Sequence, residues 1–193
     1  MLRTNFDKKI NECMSNHLDS VNNDKWRNKY HIMAPIGWIN DPNGLCEFNG
    51  EYHCYYQYSP LTPMGGLKFW GHAVSKDLAN WEDKGVALYP DINEDKDGVY
   101  SGSAFVKDDT IYFFYTGNVK HEGNHDYILT GREQNVILVT SKDGINFSEK
   151  KVLLRNTDFP DDMSLHVRDP KVWEEDGAYY MAVSYTHLTL PTT

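Results

Sequence analysis

The chain has 193 residues, enough to bury a substantial core as one domain or as part of a larger one. It is 40% hydrophobic, which excludes a disordered tail, and its formal net charge of −9 argues against a nucleic-acid-binding protein. Aromatic residues make up 13% of the chain, a content that favours β-structure and stacking surfaces for sugar-like ligands.

The first nine residues contain no apolar run typical of a signal peptide, and no stretch approaches the roughly 18 apolar residues of a membrane span. Three cysteines, Cys13, Cys46 and Cys54, are odd in number and lack metal-ligand spacing. We therefore expect a cytoplasmic protein with free thiols, no membrane partner, no metal and no cofactor. The oligomeric state is not visible in the sequence.

Residues 1–29 are mostly polar, and their apolar residues Ile10, Met14, Leu18 and Val21 follow one another at spacings of four, four and three. Such spacing places an apolar stripe along one face of a helix. We predict a short amphipathic helix within an N-terminal extension over residues 1–29.

From residue 30 the pattern changes to short aromatic and β-branched runs separated by Gly, Asn, Asp and Pro, which is typical of an all-β domain. The clearest runs are 52–58, 111–115, 136–140 and 179–183. We predict a strand for each run, in a domain that spans residues 30–184.

Three short patterns recur in the same order along this domain, with a period of about 60–67 residues. The aromatic run recurs at Tyr52, Tyr112 and Tyr179; a Ser-Lys-Asp motif recurs at Ser75 and Ser141; a third motif, at 40–44, 100–103 and 168–171, precedes each aromatic run. Radial copies of a four-stranded unit of this length make a β-propeller, of which the chain would hold about two to three blades. The alternative is a β-sandwich with accidental similarity.

In a propeller the first strand of each blade lines the central channel, so the third motif is expected to converge there. It carries Asp41, which Pro42 biases towards an extended conformation, and Asp169, which is likewise followed by a proline. We expect both carboxylates to face one polar funnel. The structural alternatives are an Asp41 that only caps a turn and an Asp169 that only pairs with Arg168 at the surface.

Two carboxylates on one funnel are typical of enzymes that cleave glycosidic bonds. Further side chains offer ring platforms or hydroxyl partners for a sugar. They are Trp38, Trp70, Tyr100, Asn40, Gln57 and Ser101. Blade packing is the alternative role for Trp70, and His72 is interpreted as a structural histidine rather than a base.

Segment 31–44 (HIMAPIGWINDPNG) resembles the opening motif of glycoside hydrolase family 32, which contains invertases, sucrose-6-phosphate hydrolases and fructanases. Matching segments follow in the family's order at 57–60, 70–78, 100–103 and 168–172. The resemblance covers about residues 26–183. It implies an N-terminal part of a five-bladed β-propeller, which in the family precedes a β-sandwich domain.

The resemblance also implies roles for residues of the funnel. Asp41 would attack the anomeric carbon of a β-fructofuranoside, such as sucrose or sucrose 6-phosphate, and Asp169 would stabilise the transition state. The reaction would be a double displacement with retention. The fructose subsite would be lined by Asn40, Gln57, Trp70, Ser101 and Arg168.

One family feature is missing. The proton donor of the family is a Glu in a Glu-Cys-Pro or similar motif downstream of the Arg-Asp-Pro segment, and no Glu-Cys pair follows Asp169. Glu174 and Glu175 are interpreted as solvated hairpin residues. Residues 185–193 match no expected continuation, so we expect a tail foreign to the family and a fragment that is nearly inactive and marginally stable.

Two other functions are also compatible with parts of the sequence. A non-catalytic sugar-binding propeller would need no proton donor, but it would not need both Asp-Pro elements. A five-bladed glycosidase acting on arabinosides or xylosides is disfavoured by segment 38–44. Within the family, the lack of a signal peptide favours sucrose 6-phosphate, with Lys68 and Arg132 as candidate phosphate ligands.

Overall fold

The structure is a computed structural model that describes residues 2–185, in which one α-helix is followed by ten strands. The elements are α1 Leu2–Asn22, β1 Trp38–Phe48, β2 Glu51–Ser59, β3 Phe69–Ser75, β4 Glu82–Leu88, β5 Val99–Lys107, β6 Thr110–Lys120, β7 Arg132–Ser141, β8 Lys151–Leu154, β9 Val167–Glu175 and β10 Ala178–Tyr185. Each predicted strand run falls within one of these strands. The predicted tail, residues 185–193, lies outside the described residues except for Tyr185.

The strands form two complete four-stranded antiparallel sheets and two strands of a third. The orders are β1-β2-β3-β4, β5-β6-β7-β8 and β9-β10, so each sheet is a meander of consecutive strands. This is the blade arrangement of a β-propeller. The structure confirms the predicted all-β fold with part of a propeller, and the three repeated aromatic runs form β2, β6 and β10.

The first strands of the three sheets, β1, β5 and β9, lie side by side. Ser101 on β5 donates a hydrogen bond from Oγ to Asp41 Oδ2 on β1 at 3.2 Å. On the other side, Ser103 Oγ donates to the carbonyl of Pro170 on β9 at 2.7 Å. These contacts bring the three copies of the third motif together, as the sequence predicts.

The main core lies between the first two blades and is mostly aromatic. The Trp70 ring of β3 stands 6.3 Å from Phe113 and 6.0 Å from Tyr115 on β6, while Tyr55 of β2 stands 4.8 Å from Phe113. All four side chains are fully buried. Because burying a large aromatic side chain contributes a few kcal/mol, roughly 3–5 on truncation to Ala, this cluster holds the two blades together.

The Ser-Lys-Asp motif forms the same turn after the third strand of each complete blade. In the first blade, Ser75 Oγ accepts from the Leu78 amide at 2.8 Å and Asp77 Oδ1 accepts from the Asn80 amide at 2.7 Å. Ser141 and Asp143 repeat these two contacts in the second blade at 2.9 and 2.7 Å. The sequence repeat is therefore a structural repeat of the blades.

Helix α1 packs its predicted apolar stripe inward. Ile10 is buried, whereas Met14, Leu18 and Val21 are partly buried. The helix ends at Asn22, seven residues before the end of the predicted extension, and Phe6 makes an edge contact with Phe69 of β3 at 5.1 Å between ring centroids. No helix in residues 2–185 is long and apolar enough to cross a bilayer.

An ionic network, exposed at Arg3 and buried at Lys150, contacts the N-terminal end of α1. Arg3 contacts Asp91, in the segment that joins the two complete blades, and Asp91 also pairs with Lys150 at 2.5 Å. Lys150, from the turn before β8, contacts Asp95 as well. The side chains of Lys150 and Asp95 are almost completely buried, so each charge depends on the other for stabilisation.

Candidate active site

A polar cavity of about 410 Å³ opens where β1, β5 and β9 meet. Its wall is formed by Trp38, Asn40, Asp41, Gln57, Lys68, Tyr100, Ser101, Arg168 and Asp169. The volume lies in the usual range of small-molecule sites. Both aspartates and all but one of the predicted sugar-binding residues lie on this one surface.

Each first strand carries a β-bulge at the residues that face the cavity. In β1 the pairing with β2 gains an extra residue between Ile39 and Pro42, and in β5 it does so between Tyr100 and Gly102. In β9 the shift lies between Arg168 and Lys171. Because a bulge turns a side chain away from the regular alternation, these irregularities point the functional side chains into the funnel.

Asp41 is held at the bulge of β1. Its Oδ2 accepts the 3.2 Å hydrogen bond from Ser101 Oγ, which fixes the carboxylate against the neighbouring blade. Gln57, buried behind it, donates from Nε2 to the carbonyl of Val99 at 2.8 Å. Asp41 itself is exposed to the cavity, so a ligand can reach it.

Asp169 sits in a backbone conformation that non-glycine residues rarely adopt, with φ of +58°. Its amide donates to Thr116 Oγ1 at 3.0 Å, and its Oδ2 accepts from Ser184 Oγ of β10 at 3.1 Å. Backbone strain of this kind costs on the order of 1–3 kcal/mol and persists where neighbouring contacts enforce it. The contacts from β6 and β10 enforce it here.

Lys68 forms one wall of the cavity together with Trp38. Its Nζ lies 3.8 Å from the centroid of the Trp38 ring and donates to Ser59 Oγ at 3.3 Å and to the Gly66 carbonyl at 3.0 Å. Burial lowers the pKa of Lys68, and the nearby charge of Lys120 lowers it further. The ring of Trp38 is therefore shared between the cavity and a cation.

Arg168 points towards a histidine and not towards Asp169. Its Nη2 lies 3.1 Å from His166 Nδ1, and no ion pair joins it to a carboxylate within residues 2–185. The alternative of a local Arg168–Asp169 surface pair is thus wrong. Arg132, predicted as a possible phosphate ligand, does not line the cavity but contacts the other side of His166.

Trp70 does not line the cavity, contrary to the sequence-based prediction. Its side chain is completely buried in the core between the blades, and its Nε1 donates to the Tyr100 carbonyl at 3.0 Å. Every residue of β3 is buried, so the strand lacks the alternation that would separate a core tryptophan from a ligand-binding one. Trp70 supports the cavity from behind by holding Tyr100.

His72 is a structural histidine, as interpreted from the sequence. Its ring is buried and stacks on Tyr55 with 4.1 Å between centroids, and its Nε2 lies 3.0 Å from His53 Nδ1. Burial lowers the pKa of His72 to about 3, with further lowering by His53 and Lys84. This residue faces the core and takes no part in the cavity.

The cavity wall contains no glutamate among the described residues, and its carboxylates are Asp41 and Asp169. Glu174 pairs with Lys107 at 2.7 Å, and Glu175 accepts from the indole of Trp173 at 3.4 Å. Both glutamates are exposed on β9, outside the funnel. The described residues thus supply two acidic groups to the site and no separate proton donor.

The family model of the glycosyl hydrolases family 32 N-terminal domain matches residues 31–191, including most of the segment set apart as a tail. The sucrose-6-phosphate hydrolase of Bacillus subtilis is 43% identical over 163 residues, covering 84% of this chain and 32% of that protein. A raffinose invertase of Escherichia coli is 41% identical over 160 residues, covering 82% and 32%. The chain spans about a third of the length of these relatives.

Solved structures share the fold. The sucrose-6-phosphate hydrolase of Lactobacillus gasseri superposes with a TM-score of 0.80 at 30% identity, covering 91% of this chain and 34% of that one. A family 32 β-fructofuranosidase of Bombyx mori gives 0.76 at 30% identity, covering 92% and 36%. A variant of the same silkworm enzyme, solved with sucrose, gives 0.76 at 29% identity, with the same coverage.

Proposed function

Because the chain belongs to glycoside hydrolase family 32, we propose that its cavity is the fructose-binding part of a retaining β-fructofuranosidase active site. The observation that carries this proposal is the convergence of Asp41 and Asp169 on one polar cavity from strands in different blades. The remaining wall residues offer an aromatic surface and hydrogen-bonding groups for a furanose ring. A turn-capping role alone would not require both carboxylates on one cavity.

In the proposed mechanism Asp41 is the nucleophile. An oxygen of its carboxylate forms a bond to the anomeric carbon of fructose while the bond to the leaving-group oxygen breaks, and that oxygen takes the bonding electrons and a proton. Water then hydrolyses the fructosyl ester, which gives net retention. Asp169 holds the fructose hydroxyls and places fixed negative charge near the positive charge that develops on the ring.

The proton donor for the leaving oxygen is proposed to lie outside the described residues, because the two glutamates of β9 face away from the cavity. In the family resemblance this group is a downstream glutamate. Loss of general acid catalysis costs about 10²–10⁴-fold in rate, so the described part of the site is expected to act poorly on substrates whose leaving group must be protonated.

Cations without carboxylate partners at the cavity support a phosphorylated substrate. Lys68, Arg132 and Arg168 lie on or just behind its wall, and none of them forms an ion pair with a carboxylate within residues 2–185. Asp41 and Asp169 balance the two cations of the wall, but a cation without a carboxylate partner is available to a phosphate group. We propose sucrose 6-phosphate, with plain sucrose as the second candidate.

The test of the proposed function uses a substrate that needs no proton donor. β-D-Fructofuranosyl fluoride transfers its fructosyl group to Asp41 as fluoride leaves with the bonding electrons. Incubation of the 193-residue chain with this fluoride is expected to add one fructosyl group to the intact mass, localised by peptide mapping to Asp41. Sucrose under the same conditions is expected to give no such adduct at a comparable rate.

A fusion provides the complementary measurement. Residues 1–183, joined to the part of the Bacillus subtilis relative beyond its matched segment, are expected to hydrolyse sucrose 6-phosphate more efficiently than sucrose. Binding of fructose to the chain, without an adduct from the fluoride and without hydrolysis by the fusion, would instead establish the non-catalytic sugar-binding alternative.

A further inference from the structure

The side chain that orients Arg168 is His166, two residues before it on the approach to β9. Arg168 Nη2 lies 3.1 Å from His166 Nδ1, and His166 Nε2 lies 2.8 Å from the carbonyl of Tyr127. Arg132 Nη1, from β7, lies 3.0 Å from the same Nε2. These three contacts place one imidazole between two guanidinium groups and one carbonyl oxygen.

The hydrogen-bond partners of the His166 ring decide which of its two nitrogens carries the hydrogen. A carbonyl oxygen can only accept, so the 2.8 Å contact with Tyr127 requires Nε2 to carry the hydrogen, and Nδ1 is then free to accept from Arg168. In this tautomer Arg132 Nη1, 3.0 Å from the same Nε2, cannot donate to the ring and acts on it through its charge. The opposite tautomer could accept from Arg132, but it would lose both the hydrogen bond to Tyr127 and the one from Arg168. A doubly protonated ring would put a third positive charge between Arg132 and Arg168.

We infer that His166 is a positioning residue of this site, whose neutral Nδ1 holds the Arg168 guanidinium at the wall of the cavity. The inference rests on the proposed function, since it gives Arg168 a substrate to bind. His166 does not line the cavity, so its effect on a substrate acts through Arg168. Tyr127, through its carbonyl, completes the support by fixing the tautomer.

The loop between β6 and β7 is built to present this carbonyl. Tyr127 adopts a φ of +58°, and Asp126 Oδ1 accepts from the amides of Ile128 and Leu129 at 2.9 and 2.8 Å. The Ile128 carbonyl accepts from the Leu165 amide at 2.8 Å, next to His166 in the chain. The strained loop of the second blade is thus tied to the segment that enters the third.

The charged groups that face His166 are Arg132 and Arg168, and both oppose its protonation. Burial lowers the pKa of His166 and the two arginines lower it further, while the hydrogen bond to Tyr127 acts in the opposite direction. No carboxylate in residues 2–185 forms an ion pair with this histidine. The neutral form therefore persists into mildly acidic solution and is lost below the ordinary range of a histidine.

The experiment measures the rate of fructosyl transfer from β-D-fructofuranosyl fluoride to Asp41 in the full chain, between pH 4.5 and 8. His166→Leu removes the acceptor and is expected to lower the rate about tenfold at neutral pH, the loss typical of a hydrogen bond to a charged group. His166→Asn places an amide oxygen near the position of Nδ1 and is expected to retain a rate within about threefold of the original.

The pH profile separates positioning from mere structural support. Protonation of His166 turns its acceptor into a donor, so the unaltered chain is expected to lose rate as the pH falls through the pKa of His166. His166→Asn is expected to lack this loss, whereas the exposed His17→Asn control on α1 keeps it. Near-ultraviolet circular dichroism of each variant reports whether the fold is intact.

Two results would overturn the inference alone: equal rates for the unaltered chain and His166→Leu, or an acid loss that persists unchanged in His166→Asn. Failure of the unaltered chain to form any adduct would overturn the proposed function and this inference with it. In the fusion, a rise in KM for sucrose without a matching fall in kcat for His166→Leu would support a role in holding substrate.

Discussion

Asp41 and Asp169 occupy unlike environments although both precede a proline. Asp41 accepts one hydrogen bond from a serine of the next blade, whereas Asp169 is held in a strained backbone conformation by its own blade and by β6. This difference agrees with the different tasks proposed for them. A nucleophile needs an accessible oxygen, and a stabilising carboxylate needs a fixed position relative to the ring.

We predict that replacing the two carboxylates by amides has different effects on fructosyl transfer. Asp41→Asn is expected to abolish the fructosyl adduct from the fluoride, because the amide cannot form the ester. Asp169→Asn is expected to slow adduct formation by about 10²–10³-fold, the usual loss when one electrostatic stabiliser is removed. Intact-mass spectrometry at fixed times measures both. An adduct at another residue in Asp41→Asn would contradict the assignment.

The stacked His53–His72 pair predicts a pH dependence of stability. Burial lowers the pKa of His72 to about 3, and burial also lowers that of His53. The native state therefore binds fewer protons than the unfolded chain, and stability is lost as the pH falls below the unfolded value near 6.5. For His72, each pH unit below about 6.5 lowers the free energy of unfolding by at most about 1.4 kcal/mol.

Urea unfolding at several pH values between 7.5 and 4.5 measures this dependence. His72→Phe keeps a flat ring against Tyr55 but removes the titrating group, so its midpoint is expected to fall less steeply with acidification than that of the unaltered chain. If the urea midpoints of the two proteins fell equally steeply with pH, groups other than His72 would account for the loss of stability in acid.

At the scale of the strands, the bulges show what the sequence left undetermined. The aromatic repeats predicted β2, β6 and β10, because aromatic and β-branched residues fit a pleated, half-buried strand. The extra residues near Asp41, Ser101 and Asp169 are visible only in the pairing with the neighbouring strand. The spacing of the repeated motif therefore predicted which residues meet at the funnel, but it could not predict where their side chains point.

Local sequence patterns also failed to predict the burial of Trp70 and the contact that supports His166. Trp70 lies on a strand that is buried on both faces, so no polar alternation marked it as a core residue. The contact between His166 and the carbonyl of Tyr127 depends on the β6–β7 loop reaching the start of β9, which no local pattern records. The order of the blades was predictable from the repeat, whereas contacts between loops of different blades were not.

Gly44 offers a test of how closely β1 packs against the core. A Cβ at Gly44, where φ is +53°, would lie 3.0 Å from Tyr55, 3.1 Å from Trp70 and 3.2 Å from Phe113. Gly44→Ala is expected to destabilise the chain by about 2–4 kcal/mol through strain and crowding together. The urea midpoint measures the loss.

Gly50 is the matched control, because its φ of +76° imposes similar strain while nothing lies within 4 Å of an added Cβ. Gly50→Ala is expected to cost about 1 kcal/mol, the part due to backbone conformation alone. Equal losses at the two positions would show that crowding at Gly44 is relieved by movement of the aromatic rings.

On the scale of the whole molecule, the third sheet is less covered than the other two. Tyr179 is 58% exposed, Tyr180 47%, Met181 37% and Trp173 38%, and β10 has one hydrogen-bonded neighbour among the described strands. An exposed apolar strand edge is a template for pairing with another chain.

We predict that the 193-residue chain self-associates or unfolds over a broad temperature range through this sheet. Sedimentation velocity is expected to show species larger than a monomer, and Met181→Lys is expected to reduce them because it places a charge on the exposed sheet. Ile145→Lys, at a more exposed apolar position in a turn of the second blade, is the control and should leave them unchanged. A sharp, reversible melt of a monomer would refute this prediction.

The Arg3–Asp91–Lys150 network links helix α1 to a residue far along the chain. Arg3 contacts Asp91, and Asp91 also pairs with Lys150, which follows the first three strands of the second blade. At synthesis rates of roughly 5–20 residues per second, Lys150 is added on the order of ten seconds after α1. The helix can therefore meet the first blade in the nascent chain well before the lysine that completes its ionic network has been made.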